Sequence, residues 1–141
     1  MRKLALVLAL IAGPALAQDS TVYDYSGSFD DATFGVESAI IGRGLVVDWV
    51  SHVGEMLERT RADVGSDVVI FDNADIFMFC SATLSRKVME ADPANIAHCP
   101  YGVFVTDTDG KVQIGYRNQP DGVMQEVQTL LDDIAREAAG L

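Results

Sequence analysis

Cys80 and Cys99 are the only cysteines of the chain, and His52 and His98 the only histidines. Thiolate and imidazole are the side chains here best suited to hold a soft metal, exchange electrons or carry a proton. Together they suit copper or zinc, with Met56 and Met78 as nearby soft donors. Haem is a further candidate ligand, although no C-x-x-C-H run is present for covalent attachment. His98 stands directly before Cys99, so the two share a short segment. Each residue also has a plainer reading. The cysteines can form a disulfide closing a loop of about 20 residues, worth about 3 kcal/mol in the chain-entropy model. They can also be inert buried thiols. His98 can be a solvated loop residue, and His52 a cap of the helix that follows it or a side chain satisfied by backbone.

Other catalytic signatures are absent. There is no glycine-rich phosphate loop, dinucleotide fingerprint or paired-His zinc helix. There is no G-x-S-x-G elbow and no C-x-x-C. Two histidines leave few bases for a Ser/His/Asp triad. The balance favours binding over catalysis.

The elements that position these residues follow from pattern and punctuation. Residues 22–27 alternate as a first strand. Ser28, with Asp31 three positions on, resembles a capping box. It opens a helix to residue 41 with Ala32, Val36, Ala39 and Ile40 on one face. Gly42-Arg43-Gly44 stops it. Residues 45–53, with Trp49, read as a strand. Residues 55–64 read as a short helix with Glu55 and Arg59 at i,i+4. Two apolar patches follow, 68–71 and 76–79, and the second reads as a buried strand ending at Cys80. Ser81 caps a helix to residue 91, with Leu84 and Val88 facing inward. Asp92-Pro93 closes it, and 95–100 read as a loop. Strands at 101–106 and 111–117 flank Asp109-Gly110, a strong hairpin signal. Asp107-x-Asp109-Gly110 resembles part of a calcium loop but lacks its distal Glu. Asp121 reads as the cap of a last helix with Val123, Val127, Leu130, Leu131 and Ile134 as its stripe.

This order predicts one α+β domain, with a single mixed, mainly antiparallel sheet and helices packed on it. The expected core is Ile76, Phe77, Phe79, Val103, Val105, Val127, Leu130 and Ile134. Cys80 ends one strand and Cys99 opens the next, so topology decides their chemistry. Antiparallel neighbours bring the sulfurs to one end of the sheet. Parallel strands hold them roughly 20 Å apart.

The N-terminus carries a different signal. Arg2 and Lys3 precede an apolar run over 4–11, then Gly13-Pro14 and Ala15-Leu16-Ala17. This is the pattern of a signal peptide cut after Ala17. The run is too short for a membrane anchor, which needs about 20 apolar residues. The expected organisation is therefore a signal peptide at 1–17 and a single domain at 18–141, exported to the periplasm. An oxidising compartment favours a disulfide for an even cysteine count. The formal charge of −11 argues against nucleic-acid partners. Asp30-Asp31 and Asp132-Asp133 read as a helix start and a solvated face.

The stretch 77–105 resembles the domain of unknown function 302 family. The matching residues are Phe79-Cys80-Ser81-Ala82, Glu90-Ala91-Asp92-Pro93 and Cys99-Pro100-Tyr101-Gly102-Val103-Phe104-Val105. Ser81-Ala82 stands where the family has Asn-Pro, and Cys99-Pro100 where it has Pro-Cys-Asn. The resemblance implies a compact α+β fold of one sheet with helices, often forming dimers. It implies no established activity. Cys80 and Cys99 fall on the family's two cysteine positions.

These readings converge on a periplasmic binding or accessory protein. It would hold a soft metal, haem or another small ligand near Cys80, His98, Cys99 and His52, or recruit a periplasmic protein partner. The alternatives are a thiol–disulfide redox protein and a partner-binding module stapled by a Cys80–Cys99 disulfide.

Overall fold

The computed structural model describes residues 19–141. The expected signal peptide lies outside the described residues. Among those described, no helix is long and apolar enough to cross a membrane.

The strands are β1 (Ser20–Tyr25), β2 (Val46–Ser51), β3 (Asn73–Cys80), β4 (Tyr101–Thr108) and β5 (Lys111–Arg117). The α-helices are α1 (Phe29–Gly42), α2 (Val53–Thr60), α3 (Ala82–Ala91) and α4 (Gln125–Ala139). Short 3-10 helices run over Pro93–His98 and Gly122–Met124. The strands form one sheet in the order β1-β5-β4-β3-β2. Every pairing is antiparallel, so the α+β expectation holds without the mixed element.

Local chemistry explains the boundaries. Ser28 accepts from the Asp31 backbone N–H at 3.1 Å and opens α1. Ser81 accepts from the Leu84 N–H at 3.3 Å and opens α3. In the β4–β5 turn Asp109 and Gly110 both take positive φ, 54° and 78°. Such angles suit an Asp-Gly pair in a tight hairpin. Carboxylates serve the turn's backbone: Asp107 accepts from the Gly110 N–H, and Asp72, just before β3, from the Asp109 N–H.

Helices α1 and α4 pack side by side on one face of the sheet. They bury Ala32, Val36, Ala39 and Ile40 from α1 against Phe77, Phe79, Val103, Val105, Ile114 and Tyr116. Phe79 and Tyr101 meet edge-on, with centroids 6.2 Å apart at 72°.

Several expectations need correction. Ile76 is only half-buried. Successive strand side chains alternate faces, so packing Phe77 and Phe79 under the helices sends Ile76 and Met78 to the opposite face. Leu130 is also half-buried, whereas Leu131 is 1% exposed. The stripe of α4 runs through Val127, Leu131, Ile134, Ala135 and Ala138, with Leu130 on its shoulder. Asp121 makes no side-chain cap bond, because the 3-10 turn Gly122–Met124 intervenes. The ion pair of α2 is Arg61 with Glu58. The expected loop at 95–100 is largely the 3-10 helix Pro93–His98, opened by the Asp92 carboxylate on the Ala94 N–H. The first apolar patch, 68–71, for which no strand is expected, lies outside the sheet with Val68, Val69 and Ile70 exposed.

Candidate functional site

Strand β3 ends at Cys80, and its neighbour β4 begins two residues after Cys99. The register pairs Phe79 with Tyr101. Antiparallel pairing therefore returns the chain to the end of the sheet it left, after α3 and the 3-10 helix. The two sulfurs are unbonded and 2.9 Å apart. That is closer than unbonded heavy atoms of this size normally rest, for which even carbon pairs prefer about 3.5–4.0 Å. The Cys99 N–H donates to Ile96 and ends the 3-10 helix. Ser85 of α3 donates to the Tyr101 hydroxyl at 3.1 Å, with its oxygen 3.9 Å from the Cys99 sulfur. Burial pushes the Cys80 thiol up to about 12, reinforced by its hydrogen bond to Cys99 and that neighbour's charge. A thiol so held supplies little thiolate near neutral pH, and thiolate is the form that attacks or binds metal.

His98 is the last residue of the 3-10 helix. It lies on the wall of a groove of about 430 Å³, together with Ala97 and Pro100. The groove floor is the sheet face turned away from α1 and α4, carrying Ile76, Met78 and Phe104. Glycines shape that floor. A Cβ on Gly102 would sit 3.3 Å from the Ile76 side chain, and one on Gly115 only 2.5 Å from the Phe104 ring. Without those side chains, Phe104 lies over β5 and a hollow remains beside it.

His52 is elsewhere. It follows β2, where Ser51 pairs with Ile76, while Val46 pairs with Cys80. Four residues of strand separate these positions along β3, about 13 Å. The structure thus joins Cys80, Cys99 and the His98 segment at one end of the sheet and leaves His52 towards the other. Among the described residues, no three His, Cys, Asp or Glu side chains converge as metal ligands. Met56 is exposed on α2, and Met78 belongs to the groove floor.

His52 has a partner of its own. Its Nδ1 is 2.8 Å from an Asp75 carboxylate oxygen. That hydrogen bond, then the carboxylate charge, holds the imidazole above its usual range. A raised pKa stabilises the fold below the unfolded value of 6.5, and the effect fades as pH rises through the folded value. The His52 side chain is 54% exposed, so solvent limits the pair to about 0.2–1 kcal/mol. Urea unfolding should show His52→Ala less stable than the parent at about pH 5.5 and equal to it at about pH 9. An equal deficit at both would show that the charge plays no part.

Sequence reasoning also missed a polar cluster under α4. Asp132 does not sit on a solvated face but accepts hydrogen bonds from the hydroxyls of Tyr23 and Tyr116, the latter at 2.8 Å. The Arg136 guanidinium lies 5.7 Å from the centre of the Tyr23 ring. The bond to Asp132 raises the Tyr23 hydroxyl, and burial pushes Tyr116 up to about 12. This carboxylate ties α4 to β1 and β5. Helical spacing placed it beside the core stripe, but nothing in the sequence brought the tyrosines opposite.

The family model described as Domain of unknown function DUF302 matches residues 20–140. Among solved structures, the chain is similar to the crystal structure of an uncharacterized conserved protein DUF302 from Bacillus stearothermophilus. The two are 19% identical with a TM-score of 0.63, over 88% of this chain and 95% of that one. At that identity the likeness shows the fold. No curated protein matches.

Proposed function

We propose, for a chain that belongs to the DUF302 family, the role of an exported small-ligand-binding protein whose Cys80–Cys99 pair closes as a disulfide beside the binding groove. The observation that carries this reading is the 2.9 Å between the sulfurs. A disulfide bond is about 2.05 Å long, so closure moves the sulfurs by less than a bond length. Closure removes two thiol protons and two electrons. They pass to a disulfide-bearing oxidant of the exported compartment, which leaves as two thiols. The bond ties the C-terminal end of the 3-10 helix, and so the His98 wall, to the end of β3.

The raised Cys80 thiol supports a staple over a fast thiol nucleophile. Separation of His52 from the cysteines removes one donor from the copper, zinc or haem site expected there. The groove fits binding, with an apolar floor and a few polar groups at its edge.

Thiol counting and intact mass on protein recovered from a bacterial periplasm test the reading, with metal analysis alongside. The expected result is a chain beginning at Gln18, with no free thiols and a mass lower by two hydrogens than the reduced form. Two free thiols with near one equivalent of copper or zinc would overturn the disulfide in favour of a metal centre.

A further inference from the structure

We propose that the groove binds an apolar α-amino acid as its zwitterion, an inference that rests on reading the groove as a binding site. Groups at its edge supply a complementary set. Arg117 closes β5 and pairs in register with Ser20, next to Asp19, so a guanidinium and a carboxylate stand at the same end of the groove. Among the described residues, neither has an opposite charge within ion-pairing distance. Between them in chemistry is Gln119, also on the groove lining. Its amide nitrogen donates to the Arg117 carbonyl at 2.9 Å, which settles which end of the amide is oxygen. That oxygen is buried with no hydrogen-bond partner. A buried acceptor left unpaired costs about 1–3 kcal/mol, so it calls for a donor.

An α-amino acid answers each of these. Its carboxylate suits the guanidinium, whose planar fork takes carboxylates in pairs of hydrogen bonds. Its ammonium brings donors for Asp19, and for the Gln119 oxygen once that side chain turns toward the groove. Its side chain lies on Ile76, Met78 and Phe104. A groove of about 430 Å³ is in the range of small-molecule sites. The chain's charge of −11 points the same way. A strongly acidic protein repels a free anion on approach, whereas a zwitterion carries no net charge to repel.

Calorimetric titration of the exported chain with three probes tests this. L-phenylalanine has both charges, 3-phenylpropionate lacks the ammonium, and phenethylamine lacks the carboxylate. L-phenylalanine should bind at least tenfold more tightly than either analogue, a gap of about 1.4 kcal/mol or more. Arg117→Gln should erase the gap between L-phenylalanine and phenethylamine by weakening L-phenylalanine at least tenfold. Equal binding of either analogue overturns the zwitterion while keeping the groove as a binding site. No saturable heat from any probe at millimolar concentration also overturns it. Thiol counts on the same sample report separately on the Cys80–Cys99 bond.

Discussion

Leu131→Ala should cost about 2–5 kcal/mol of unfolding free energy, and Leu130→Ala about 1 kcal/mol or less. The residues are neighbours of the same type, so propensity and volume cancel in the comparison. What differs is the environment. Leu131 is 1% exposed and belongs to the core between α4 and the sheet. Its truncation leaves a cavity whose lining has lost its contacts. Leu130 lies on the shoulder of α4, along a shallow hollow shared with Leu84 and the stem of Lys87. Water can enter there, so truncation loses mainly transfer free energy. A small domain is stable by only about 5–15 kcal/mol, so the Leu131 change should visibly lower the urea midpoint. Equal losses at the two positions would show that α4 is rotated from the orientation described.

Asp132→Ala should cost about 3 kcal/mol, through the loss of hydrogen bonds from two tyrosine hydroxyls to a charged acceptor. Tyr116 carries most of the penalty because it is 2% exposed, so its hydroxyl is left inside with little access to water. Gln128 donates its Nε2 to that hydroxyl oxygen at 3.3 Å, so it cannot take the hydroxyl proton that Asp132 accepts. Removing both partners should be gentler than removing one. Tyr116→Phe in the Asp132→Ala background should therefore recover part of the loss, and a double-mutant cycle measures the coupling. Strict additivity of the two changes would show that the carboxylate does not hold that hydroxyl.

The elements that were legible in the sequence are those governed by neighbours along the chain. Ser28 and Ser81 cap helices because a short oxygen side chain reaches an N–H three residues on, a purely local geometry. Ala32, Val36, Ala39 and Ile40 form the buried face of α1 because helical spacing puts them on one side. Asp109-Gly110 turns the chain because both residues tolerate positive φ. Such features need no knowledge of what lies across the fold.

Strand faces are another matter. An apolar run such as Ile76-Phe77-Met78-Phe79 has no alternation to say which side is covered, and only α1 and α4 decide it. The groove is a consequence: its floor exists because the helices took Phe77 and Phe79 instead of Ile76 and Met78.

Patterns local to the chain set the α+β class, the helix caps, the hairpin and which side chains have the chemistry for a site. Tertiary structure alone decided which of them meet. Cys80 and Cys99 came together, 19 positions apart, because β3 and β4 are antiparallel neighbours. His52 was left with Asp75, and Asp132 found two tyrosines contributed by β1 and β5. The reason is range. Propensity, capping and turn chemistry act over a few residues, whereas a site is assembled by sheet register and helix packing, which depend on the whole chain at once.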